Sequence, residues 1–140
     1  MLSGQLALIA AALFSGAAVY INFAEQPARL SLSDQPLLDE WKPAYKRGTL
    51  MQAPLAVIGF LLGVWAWWQS ANALWIVGGL FMLSNLPVTL IVILPTNNRL
   101  MATQIATSES RRLIVKWGAL HGIRTCLSFA GTATFLLASL

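Results

Sequence analysis

The segment ALWIVGGLFMLSNLPVTLIVILP, residues 73–95, carries no charged side chain, and as a helix rising about 1.5 Å per residue it exceeds the ~30 Å hydrocarbon core of a bilayer. A lone segment crosses lipid only in that form, because a helix satisfies its own backbone donors and acceptors where water cannot. Working outward, further apolar runs of similar length stand at 5–25, 51–68 and 111–138, with short connections between them. The chain of 140 residues is 57% hydrophobic and only 10% charged, and its mean hydropathy is +0.68. Such a composition excludes a water-soluble globule. The reading is all-α: a single transmembrane domain over 1–140, an integral membrane four-helix bundle with helices at 5–25, 51–68, 73–95 and 111–138.

Arg29, Lys42, Lys46 and Arg47 lie between the first and second segments, and Arg99, Arg111, Arg112 and Lys116 between the third and the interior of the fourth. Lysine and arginine mark cytoplasmic loops, so both termini are expected on the non-cytoplasmic side of a membrane, here a bacterial inner (plasma) membrane. The net charge of +4 is then topological, and Glu25, Asp34, Asp39 and Glu40 balance the first loop, so no nucleic-acid footprint is read; membrane lipid is the expected surrounding. The first segment has no basic stretch before it, which favours a retained helix over a cleaved signal peptide. Residues 34–47 read as a short interfacial helix: Ser33 or Asp34 caps it, Leu37, Leu38, Trp41 and Tyr45 line one side, and Asp39, Lys42 and Lys46 the other. Its role is an interfacial anchor or, alternatively, a lid.

Several chemistries are excluded early. Cys126 is the only cysteine, so thiol redox chemistry has no partner; no glycine-rich phosphate loop is present; and one histidine with no acidic residue in its own helix makes no metal-ligand cluster, so metal is read as none. What remains is a polar stripe on each helix: Ser15, Ala18, Asn22 and Glu25; Gln52, Ala56, Gly59 and Gly63; Asn85, Thr89 and Thr96; His121, Arg124, Thr125 and Ser128. Trp117, His121 and Arg124, at positions i, i+4 and i+7, share one helix face. With alternating helix directions the strongest polar groups converge on the cytoplasmic half, implying a pocket that faces the cytoplasm.

Arg124 keeps its charge and needs a carboxylate or several carbonyl oxygens in low dielectric. Glu25 is the only acidic residue near a membrane segment on that side, so a Glu25–Arg124 pair is expected. The alternative leaves Glu25 solvated at a helix end and Arg124 on backbone carbonyls or lipid phosphate. Gly118 and Gly122 form a small-xxx-small pair suited to tight helix packing. Pro87 and Pro95 interrupt the third segment, and Asn97 either turns its amide into a cavity or belongs to a helix-ending turn.

These residues also form a familiar set: Gly16 through Glu25-Gln26-Pro27, Trp41 to Tyr45 with Lys46-Arg47-Gly48, Pro87-Val88-Thr89, Pro95-Thr96-Asn97-Asn98-Arg99-Leu100, and Trp117 through Arg124. The chain resembles the anthrone oxygenase-like family of small four-helix membrane proteins over nearly its whole length. The most specific parts are Pro-x-Asn-x-x-Leu at Pro95, Asn97 and Leu100 and Trp-x-x-x-His-x-x-Arg at Trp117, His121 and Arg124. The resemblance implies oxygenation of a hydrophobic phenolic or anthrone-like aromatic by dioxygen, with no cofactor. In that chemistry His121 is the base, since imidazole suits proton transfer near neutral pH. Arg124 and Asn97 stabilise the developing oxyanion, Trp117 stacks on a flat substrate, Asn22, Thr89, Gln52 and Tyr45 complete the substrate-binding set, and Glu25 is the charge partner.

Two readings from other classes stay open. One is a non-catalytic membrane assembly or a lipid- or small-molecule-binding protein, in which the polar cluster locks the bundle together; under any reading a homo-oligomer is allowed. The other is a small exporter of hydrophobic compounds, which would want its carboxylate near mid-membrane, whereas Glu25 lies at a helix end.

Overall fold

Residues 1–140 form four helices and no strand in the computed structural model: α1 (Leu2–Leu30), α2 (Asp34–Ser70), α3 (Ala73–Ala102) and α4 (Ser108–Ser139). The first three are long and apolar enough to cross a membrane, consistent with a membrane protein. α4 packs beside α1 and α3 and turns His121, Arg124, Thr125 and Ser128 inward. Each helix adjoins the next in sequence and α4 closes on α1, giving an up-down-up-down square with α1 diagonal to α3.

Local chemistry explains the helix ends. α2 stops where Ala71 takes a left-handed conformation (φ 57°), its N–H donating to the Trp67 carbonyl at 2.7 Å. Asn72 then caps α3, its side chain accepting from the Leu74 N–H at 3.0 Å. Thr107 and Ser110 cap α4 reciprocally, Ser110 N–H donating to Thr107 Oγ1 and Thr107 N–H to Ser110 Oγ. Ser3 Oγ donates to Gln69 Oε1 at 2.5 Å, binding together the end that carries both termini. At the other end, the loop end, Arg111 bonds Asp34 and the Leu30 carbonyl, and Gln35 spans to the Gln104 carbonyl and the Ala106 N–H.

The prolines do not end helices where the sequence suggested. α1 runs past Glu25 to Leu30 because residues Ile21–Glu25 form a π-helical turn in which the Gln26 N–H bonds the Ile21 carbonyl. That register shift comes immediately before Pro27, which has no N–H to extend the ordinary ladder. α3 repeats the device: Val88–Ile93 is π-helical, the Leu94 N–H bonds the Thr89 carbonyl, and Pro95 follows. Asn97 therefore lies within helix rather than in a helix-ending turn. Segment 34–47 is helical, buries Leu37, Leu38 and Trp41, and continues unbroken into the rest of α2. Pro43 and Pro54 lie on the exposed side of that helix.

Two apolar clusters fill the bundle. One, toward the termini, includes Phe14, Trp75, Met82 and Phe135; the other, at the loop end, includes Leu37, Trp41, Ile93, Leu100, Ile114 and Trp117. Within lipid, close packing rather than expulsion of water holds helices together. Phe135 lies directly on glycine, since a Cβ at Gly78 would come within 2.5 Å of its ring and one at Gly63 within 3.0 Å. The expected tight pair at Gly118 and Gly122 is realised at one position only. A Cβ at Gly118 would meet Gln26 Nε2 at 2.6 Å, whereas one at Gly122 has nothing within 4 Å. Gly118 abuts Gln26 of α1, while at Gly122, one turn on, no neighbour comes that close.

Candidate functional site

Between the two apolar clusters α4 presents a polar layer, and its charges are answered from α1 and α2. His121 is 1% exposed and Arg124 9%, so neither is solvated by bulk water. His121 Nδ1 lies 2.9 Å from Asn22 Oδ1, and Thr125 Oγ1 donates to the same oxygen at 2.7 Å. Asn22 Nδ2 donates to the Gly118 carbonyl at 2.9 Å, so all polar atoms of the Asn22 side chain are used across the α1–α4 contact. Arg124 Nη2 donates to Gln52 Oε1 at 2.8 Å, and its guanidinium stands 5.4 Å over the Phe14 ring.

Glu25 does not pair with Arg124. It binds Arg29, one helical turn on, and Arg29 also reaches Glu40 at 3.0 Å. The cause is the π turn: with α1 carried through Pro27 to Leu30, Arg29 lies on the same helix face as Glu25 and is buried itself (3% exposed). Arg29 also lies 5.6 Å over the Trp117 ring, and its neighbour Gln26 donates to the Ile114 carbonyl at 2.9 Å. Arg124 is left with a neutral amide oxygen and an aromatic face instead of a carboxylate.

Aromatic rings form the wall next to His121. Trp117 lies 5.1 Å from the His121 ring centre and meets Trp41 edge-on at 5.7 Å; Trp41 in turn stacks on Tyr45 at 5.0 Å with planes 6° apart. A cavity of about 20 Å³ opens among Ile21, Glu25 and Arg29 of α1, Tyr45, Gly48, Thr49 and Gln52 of α2, and Trp117, His121 and Arg124 of α4. It has room for roughly one water molecule. Its walls are short of acceptors, since Arg124 Nε, Gln52 Nε2 and Arg29 Nη1 are buried without a hydrogen-bond partner.

The structure thus gathers His121, Arg124, Trp117, Gln52, Tyr45 and Glu25 around one cavity, with Asn22 behind His121. α3 contributes nothing to that wall, because it is diagonal to α1. Thr89 donates to the Asn85 carbonyl at 2.7 Å. Asn97 is 1% exposed, with neither amide atom bonded, and does not line the cavity; the expectation that it stands beside Arg124 is not met. Sequence reasoning missed Arg29, Glu40 and Phe14. Arg29 was legible as the i+4 partner of Glu25, but Pro27 between them masked the helix. Nowhere do three or more His, Cys, Asp or Glu side chains converge, so no residue set is assigned to a metal.

The family model described as "Anthrone oxygenase" matches residues 41–134, a stretch that includes the α2 and α4 walls of the cavity. The chain belongs to the anthrone oxygenase family. Among curated members of that family, an anthrone oxygenase of Claviceps purpurea (strain 20.1) is 29% identical over 89% of this chain and 81% of its own. The anthrone oxygenase AgnL2 of Paecilomyces divaricatus is 26% identical over 89% and 87%. No solved structure matches. Within the family match, His121, Arg124, Trp117, Gln52 and Tyr45 all fall inside the matched residues, while Asn22, Glu25 and Arg29 of α1 precede them.

Proposed function

We propose that this anthrone oxygenase family protein is a membrane-embedded, cofactor-independent oxygenase that oxidises a hydrophobic phenolic or anthrone-like aromatic with dioxygen. The observation that carries the reading is the placement of the buried His121 and Arg124 together on the wall of one small cavity, in a chain whose relatives are named anthrone oxygenases. The loop end bears the lysines and arginines, so by the charge rule it faces the cytoplasm and the termini face away.

The chemistry needs a base, an oxyanion site and exclusion of water. His121 removes a proton from the acidic CH₂ flanked by the aromatic rings, and Arg124, with Gln52, receives the charge that develops on the substrate oxygen. The electron-rich anion reduces dioxygen, forming a C–O bond and a hydroperoxide at that carbon. Loss of the remaining C–H proton and of hydroxide from the peroxide leaves a carbonyl, so that CH₂ and O₂ become C=O and H₂O. Arg29, held between Glu25 and Glu40, closes the site above Trp117. A tricyclic substrate needs a pocket of several hundred Å³, far above the 20 Å³ seen, so binding requires this cavity to widen. Trp117 and Tyr45 are the aromatic rings on its wall, and Trp117 is the one on which the flat substrate stacks.

The small cavity also favours a second reading, in which the same polar layer serves only to lock the helices together. Oxygen uptake by the purified protein in detergent or bilayer, with an anthrone-like phenol as substrate, separates the two. Substrate-dependent uptake that His121→Ala abolishes, with helicity and monodispersity retained, is the expected result. Undiminished turnover in that variant would sink the base assignment, and no uptake with any enolisable aromatic would favour the locking role.

A further inference from the structure

The hydrogen bonds around Asn22 determine which nitrogen of His121 carries the proton. A backbone carbonyl only accepts, so the 2.9 Å contact between Asn22 and the Gly118 carbonyl must use the amide nitrogen. Turning the amide over would set two acceptors against each other at that distance. Oδ1 is therefore the atom that meets α4 at His121 and Thr125, and it too can only accept. Thr125 Oγ1 donates to it at 2.7 Å, and His121 Nδ1, at 2.9 Å, must bear a hydrogen. In the neutral ring the lone pair is then on Nε2, which makes no hydrogen bond in the protein while His121 lines the cavity. In water, neutral imidazole side chains prefer the opposite tautomer, with the proton on Nε2.

We infer that Asn22 is a positioning residue that locks His121 in the Nδ1–H tautomer and so presents Nε2 to the cavity as the proton acceptor. The inference rests on the proposed oxygenase function for its catalytic meaning, but the tautomer itself does not depend on turnover. Three contacts hold the lock in place. The Gly118 carbonyl fixes the amide orientation, Thr125 fills the second lone pair of Oδ1, and the π turn at Ile21–Glu25 carries Asn22 on the wall of α1 nearest α4. Asn22 itself does not line the cavity, so it acts through His121 and not on the reacting atoms. The logic is that of an acceptor oriented behind a catalytic imidazole, with a neutral amide in the place a carboxylate takes elsewhere.

His121 is the only histidine in the chain, so ¹⁵N-histidine labelling reports a single ring. In bilayers at a pH where the ring is neutral, the expected solid-state NMR spectrum of the wild-type protein shows a protonated Nδ1 and an unprotonated Nε2. Asn22→Leu should move proton population to Nε2 and lower kcat on the order of 10-fold or more, with KM little changed. Thr125→Val, which leaves Asn22 its contacts to the Gly118 carbonyl and to Nδ1, should keep the Nδ1–H signature. A protonated Nε2 in the neutral wild-type ring overturns the lock, whatever the variants do, and so does an unchanged tautomer in a folded Asn22→Leu. The expected tautomer without oxygen uptake upholds the lock and counts against the oxygenase reading instead.

Discussion

The partner of Arg124 can be tested by a direct energetic comparison. Gln52→Leu removes the amide oxygen that receives Arg124 Nη2 at 2.8 Å, leaving a guanidinium only 9% exposed with an aromatic face and no hydrogen-bonding side chain. A charge-assisted hydrogen bond contributes about 1.5–3 kcal/mol, and stranding its charged donor adds toward the ~3–5 kcal/mol seen when a buried pair loses one member. The expected loss is about 2–4 kcal/mol, moderated by the 5.4 Å approach to Phe14 that survives. Denaturant unfolding in mixed micelles, followed by tryptophan fluorescence, measures it. The control is Glu25→Gln, which acts on Arg29 instead. In double-mutant cycles with Arg124→Met, the Gln52–Arg124 coupling should be about 1.5–3 kcal/mol and should exceed the Glu25–Arg124 coupling, since Glu25 is already paired with Arg29. A larger coupling to Glu25 than to Gln52 would refute the geometry and reinstate the charge pair that the sequence favours.

Three further outcomes follow from packing. Gly118→Ala drives a Cβ to 2.6 Å from the buried Gln26 amide; it should cost about 1–3 kcal/mol and depress turnover, because the Gly118 carbonyl orients Asn22, whereas unchanged stability would mean that α1 and α4 are less tightly apposed. Gly122→Ala, into open space, should be neutral or stabilise by up to about 1 kcal/mol through helix propensity, as read from the same unfolding assay. Ala71→Gly relieves a left-handed residue at φ 57° and should stabilise by about 1 kcal/mol; a loss of stability there would count against the α2–α3 turn as described.

The membrane class, the all-helical architecture and the family were all legible from residues in order. Apolar run length decides whether a segment crosses lipid, and the i, i+4, i+7 spacing of Trp117, His121 and Arg124 places them on one face without reference to any neighbour. Gln52 and Tyr45 line the cavity, as their polar or amphipathic helix faces suggested. Pro27 and Pro95 were misread for a physical reason. Local rules make a proline a helix boundary, but a π turn just before it absorbs the missing donor, and that adjustment is set by how the helix packs. Arg29 followed from the same error: seen as a loop charge, it is a buried cation between two carboxylates.

Sequence by itself determined what each helix would have to hide: one face of α4 with a histidine and an arginine that lipid cannot solvate. Periodicity is a property of a single chain segment, so it survives without a partner. Which groups would answer those charges was decided only by the bundle. Arg124 received Gln52 and Phe14 rather than Glu25, His121 received Asn22 rather than open space, and Asn97 was left off the cavity wall because α3 stands diagonal to α1. Pairing across helices depends on rotation about each axis to within a fraction of a turn, and the one-residue shift of a π turn is enough to change it.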